Sequence, residues 1–117
     1  MNKKTILNLK ADRATDAMIA EMVFGFEFVA DNGESIFYTD AMEGSSVLPY
    51  YTTNISDAWD VVTEVLKLEG VDFSLYADKD GWFANYGYGD SAFGDTPSLA
   101  ICRGALLAVN TFFEVQK

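Results

Sequence analysis

The chain has no histidine, one cysteine, two prolines and two arginines among its 117 residues. Without histidine there is no imidazole acid–base catalysis, no Ser–His or Cys–His nucleophile pair and no histidine-ligated metal. The lone Cys102 cannot close an internal disulfide, which points to a reducing compartment. Basic residues number 8 against 18 acids, a net charge of −10, so an electrostatic grip on a nucleic-acid backbone is excluded. No window approaches ~18 uninterrupted apolar residues, so no membrane span is expected. The start, Met1 to Leu7, is basic like a signal peptide. Asn8, Lys10, Asp12 and Arg13 then interrupt the apolar run that should follow. The expected location is the cytoplasm.

What is present suits a folded domain. Half of the residues are apolar, 15% aromatic and 22% charged. Residues 1–117 form a single domain, long enough for a core of its own. The acids are unevenly placed. Between Arg13 and Lys67 there is no basic residue, and ten acids run from Asp16 to Glu64. That stretch reads either as a solvated, self-repelling surface or as an acidic face competing for a partner's nucleic-acid groove.

Asp12 to Phe24 read as a helix stopped by Gly25, with Ala14, Met18 and Met22 at spacing four. Phe26 to Ala30 and Ser35 to Tyr38 flank Asp31-Asn32-Gly33, a hairpin signal. Thr39 to Thr53 read as an irregular loop. Ile55, Ala58, Trp59, Val62, Val65 and Leu66 make one apolar stripe on a second helix, capped by Asn54 or Ser56, and Trp59 is assigned to the core. Val71 to Tyr76 alternate, Lys79-Asp80-Gly81 turns the chain, and Trp82 to Tyr86 return as a second hairpin. Gly87 to Pro97 are glycine-rich. Thr96 caps a third helix, with Pro97 at its first position, running to about Phe113. The order α-ββ-α-ββ-α predicts an α+β fold, helices packed on a four-stranded, mostly antiparallel sheet made of two hairpins.

The chemical motifs are weak. Asp78-Lys79-Asp80-Gly81 lacks the carboxylates a calcium loop needs at Tyr76 and Gly87, so it reads as a hairpin turn. Gly87 to Gly94 lack the Gly-Lys-Ser/Thr ending of a phosphate loop, although free N–H groups before a helix can cradle an anion. Cys102, on an apolar helix face, reads as a buried thiol. No motif calls for a cofactor or a metal, and the chain is read as not an enzyme. Arg103, just past the glycine-rich segment, suits either an acid pair or a ligand phosphate. Tyr50, Tyr51, Tyr86, Tyr88 and Trp82 offer ring faces for stacking.

Three segments resemble a known family. They are Arg13 to Phe26, ending in a glycine and an aromatic; Pro49-Tyr50-Tyr51-Thr52-Thr53-Asn54 leading into Ala58-Trp59; and Thr96-Pro97-Ser98 through Leu107. Together they are similar to the phage α-β-α (ABA) sandwich domain and to NinX-like proteins of lambdoid phages. Tyr51 departs from the small hydroxyl residue usual there. The resemblance implies a small bacteriophage protein made in a bacterial cytoplasm, and no reaction. The leading expectation is a protein that counters host defence by sequestering a nucleotide-derived signal. Its ligand site would draw on Arg103, Tyr50, Tyr51, Thr53, Tyr86, Tyr88 and Ser98, in a homo-oligomer. The alternative is an acidic inhibitor that blocks a basic host defence protein, as a nucleic-acid mimic would.

Overall fold

The structure, a computed structural model, describes residues 1–40, 44–87 and 90–115, the last without its side chain. The elements are α1 (Lys3–Leu7), α2 (Arg13–Met22), β1 (Glu27–Asp31), β2 (Ile36–Asp40), β3 (Gly44–Val47), α3 (Ile55–Val65), β4 (Ser74–Asp78), β5 (Gly81–Asn85), β6 (Ala92–Gly94) and α4 (Pro97–Val115).

Caps place the helices. The Asp12 side chain accepts from the Thr15 N–H at the start of α2, Asn54 accepts from Asp57 N–H at the start of α3, and Thr96 accepts from Leu99 N–H in α4. Both expected hairpins form, Glu27↔Thr39 to Asp31↔Ile36 and Ser74↔Asn85 to Asp78↔Gly81. The single four-stranded sheet does not. Each hairpin gains a third strand, giving two antiparallel sheets, β1-β2-β3 and β4-β5-β6. The added β3 lies inside the segment read as a loop, and β6 inside the glycine-rich one. Gly44-Ser45-Ser46-Val47 and Ala92-Phe93-Gly94 are too short, and too poor in β-branched residues, to show as strands before their partners are known. The class remains α+β.

The centre of the molecule is α4. From Ser98 to Val109 every residue except Arg103 is buried, so the helix is covered on all sides. The sheet β4–β6 lies against it where Gly104 leaves room: a Cβ there would stand 3.0 Å from the Tyr86 ring and 3.3 Å from the Ala84 carbonyl oxygen. Helix α3 packs on it through Ala58, Val61, Val62 and Val65. Here a second expectation fails. Trp59 is 46% exposed, its ring edge-on to Phe73, and Ile55 and Leu66 are exposed with it. The apolar arc of α3 is wider than the strip α4 can cover, and Val61 takes the inward position. α1, which no sequence signal announced, brings Ile6 fully into the core.

Candidate functional site

Among the described residues, those named for ligand binding do not line one cavity. Tyr51 is buried, stacked on Phe24 at 5.3 Å, and its carbonyl accepts from the Cys102 thiol at 3.2 Å. Tyr86 is buried on the far side of α4, where its hydroxyl donates to the Ile101 carbonyl at 3.0 Å. Neither ring offers a free face for stacking. Burial raises both phenol pKa values, with a further increment for Tyr51 from the Asp57 and Asp60 carboxylates, and burial raises that of the Cys102 thiol. Ser98 is buried in the first turn of α4. Arg103 makes its described hydrogen bonds to backbone rather than to an acid. Its Nε donates to the Leu9 carbonyl and its terminal nitrogen to the Phe93 carbonyl, both at 2.8 Å. Thr53 and Tyr50 remain at the surface. Tyr88 lies outside the described residues.

A different constellation connects the motif segments. Asp16, on α2, is 1% exposed, and its Oδ1 accepts from both the N–H and the hydroxyl of Thr52, at 2.8 and 2.7 Å. Its Oδ2 accepts from Arg13 at 2.8 Å. The Arg13 guanidinium also donates to the Pro49 carbonyl at 2.7 Å and the Leu48 carbonyl at 2.5 Å, and lies 3.9 Å from the centre of the Tyr50 ring. Asp57, in the first turn of α3, accepts from Tyr50 N–H at 2.9 Å. The Pro49–Thr53 stretch is thereby pinned from α2, α3 and α4 together. The sequence held one clue. Arg13 and Asp16 sit at i,i+3 in a helix start, and Arg13 is the last cation before Lys67.

Outside this knot is a cleft of about 250 Å³, lined by Arg13, Tyr50, the β1–β2 turn (Asp31, Gly33, Glu34, Ser35), Ile36 and Val47. With Arg13 balanced by Asp16, the remaining charges at its mouth are the carboxylates of Asp31 and Glu34. Such a mouth attracts cationic groups and repels phosphate. Beside it, every residue of β1 is exposed, including Phe28 and Val29 between Glu27 and Asp31. Among the described residues no three acids or thiols sit close enough to hold a metal ion. No described helix is long and apolar enough to cross a membrane.

Comparison with known proteins places the architecture. The family model of the phage ABA sandwich domain matches residues 17–106. Among solved structures, a phage protein from Bacillus cereus ATCC 14579 is similar at 25% identity and a TM-score of 0.67, over 88% of this chain and 91% of that one. No curated protein matches the chain.

Proposed function

The chain belongs to the phage ABA sandwich domain family, and from that premise we propose a non-enzymatic bacteriophage accessory protein that counters host defence by binding a basic partner inside the host cell. One observation carries this reading. Both arginines spend hydrogen-bond donors on the protein's own carbonyls and Asp16, while Glu27 and Asp31 flank the exposed Phe28 and Val29 on β1 and Glu34 follows in the β1–β2 turn. Carboxylates steer a cationic partner, and the apolar pair gives it something to bury.

The test is capture from host extract on immobilised protein as salt is raised. Charges more than a Debye length apart are screened, and that length falls from about 10 Å at 0.1 M salt to about 3 Å at 1 M. Capture should therefore fade steeply with salt, and the variant Glu27→Lys/Asp31→Lys/Glu34→Lys should lose it at low salt. A captured protein indifferent to both would refute the proposal.

A second reading, sequestration of a nucleotide-type ligand, is favoured by the Tyr50 ring. It is 52% exposed at the cleft beside a guanidinium. Native mass spectrometry of protein purified from bacteria with active nucleotide signalling decides it. A released molecule with adenine-like absorbance, lost in Tyr50→Ala, supports sequestration; a clean apo protein removes it.

A further inference from the structure

Four strands end the two sheets: β1 and β3 in one, β4 and β6 in the other. A sheet edge is a template for pairing, and folded proteins blunt theirs with bulges, charge or brevity. Edge β1 is broken by an irregularity between Phe28 and Ala30 and carries Glu27 and Asp31 at its ends. Edge β3 has four residues, the first a glycine. Edge β6 has three, and its Phe93 carbonyl is occupied by Arg103. Among the described residues, edge β4 has neither bulge nor brevity to protect it. Ser74-Leu75-Tyr76-Ala77-Asp78 runs in unbroken register with β5, without proline or lysine, and with a single acid at its end.

The backbone direction follows from the turn. Asp78↔Gly81 closes a two-residue loop and is a hydrogen-bonded pair. Alternation then turns the backbone groups of Ser74, Tyr76 and Asp78 toward β5, and those of Leu75 and Ala77 toward the open edge. On the outer face, Phe93, Phe83 and Tyr76 form a row across the three strands, with ring centres 5.3 and 5.1 Å apart. The row stops at Tyr76, which stacks one face on Phe83 and is 51% exposed.

We propose that β4 pairs antiparallel with β4 of a second copy, about a two-fold axis at Tyr76, joining two three-stranded sheets into one of six strands. Symmetry allows one register that pairs all five residues: Tyr76 opposite Tyr76, Leu75 opposite Ala77, Ser74 opposite Asp78. Leu75 and Ala77 are the residues with outward backbone groups, so this register uses them. The only charge in the strand falls opposite a hydroxyl, and no like charges are directly opposed. The two Tyr76 rings meet at a close, non-hydrogen-bonded pair and continue the aromatic row. At −10 per chain the copies repel, so added salt tightens the dimer.

Sedimentation velocity on the full chain, over a concentration series at low and high salt, tests this. Wild type should show a reversible monomer–dimer equilibrium that tightens with salt. Ser74→Asp, which sets a carboxylate opposite each Asp78, a like-charge pair formed twice in the dimer, should weaken it by roughly fivefold or more, and Ser74→Lys should strengthen it. Ser74 is exposed, so neither change threatens the fold. In addition, Tyr76→Cys should oxidise to a symmetric disulfide dimer. A monomer at every concentration, or a dimer indifferent to both Ser74 variants, overturns the proposal.

Discussion

Arg103 and Arg13 serve as clamps. Each reaches from a helix to carbonyl oxygens that no ladder satisfies: Leu9 and the open-edge Phe93 for one, Leu48 and Pro49 for the other. Burial lowers the Arg103 pKa, and the nearby Asp95 carboxylate works in the other direction. Arg103→Ala leaves two acceptors without their charged donor and should cost about 2–3 kcal/mol. That loss would show as a lower urea midpoint at unchanged slope. An unaltered midpoint would mean the clamp is dispensable and return Arg103 to the pool of ligand residues. Tyr38 gives a pH signature. Burial, then the hydrogen bond to Glu21 and its charge, push the phenol from 10.0 up to about 12. The fold thus favours the neutral ring. Its contribution is whole below pH 10 and is lost as pH rises through about 12. The urea midpoint should fall over that window, and Tyr38→Phe should make the fall shallower. Cys102, Tyr51 and Tyr86 are shifted in the same direction and add to the alkaline loss.

At the scale of elements, α4 is the reference against which the others are placed, and Gly104 is its point of closest approach to a sheet. Gly104→Ala gains about 1 kcal/mol of helix propensity. The new methyl group presses on the Tyr86 ring at 3.0 Å and on the Ala84 carbonyl, held in β5, at 3.3 Å. Overpacking of this kind costs about 1–3 kcal/mol, so net destabilisation is expected. Calorimetry should show a lowered Tm; a raised one would mean β5 can retreat from α4. The elements with caps and periodicity were readable beforehand. The spacing of Ala14, Met18 and Met22 ahead of Gly25, and the caps Asn54 and Thr96, announced the three long helices, and Asp31-Asn32-Gly33 and Lys79-Asp80-Gly81 announced the two hairpins. α1, β3 and β6 were not: none flanks a turn signal or carries an apolar period long enough to mark it, and each owes its form to what it touches. Trp59 shows the same limit differently. Spacing marks a residue as apolar and helical, but whether it is covered depends on the width of the neighbouring helix.

Across the whole molecule, net charge gives the two proposed associations opposite responses to salt. Capture of a basic partner by Glu27, Asp31 and Glu34 should fade as ions screen attraction, whereas pairing of β4 with its copy should strengthen as they screen repulsion. One salt titration therefore separates the two proposals. The family was legible in three motif segments, and the model match over residues 17–106 bears the family out. What those segments do was not legible. Tyr51 reads as a stacking face and Cys102 as plain core when taken singly. In the fold Asp16 gathers Thr52 and Arg13, while Cys102 holds the Tyr51 carbonyl, so the motif residues secure one another. Local spacing and turn chemistry were enough to set the α+β class, the helix starts, the hairpins and the acidic surface, because each depends on neighbours within a few residues. The division into two sheets, the burial of Tyr51, Tyr86 and Ser98, the clamping contacts of Arg103, and the open edge of β4 belong to the tertiary structure alone. They depend on contacts between residues tens of positions apart, and those contacts exist only once α4 has been enclosed.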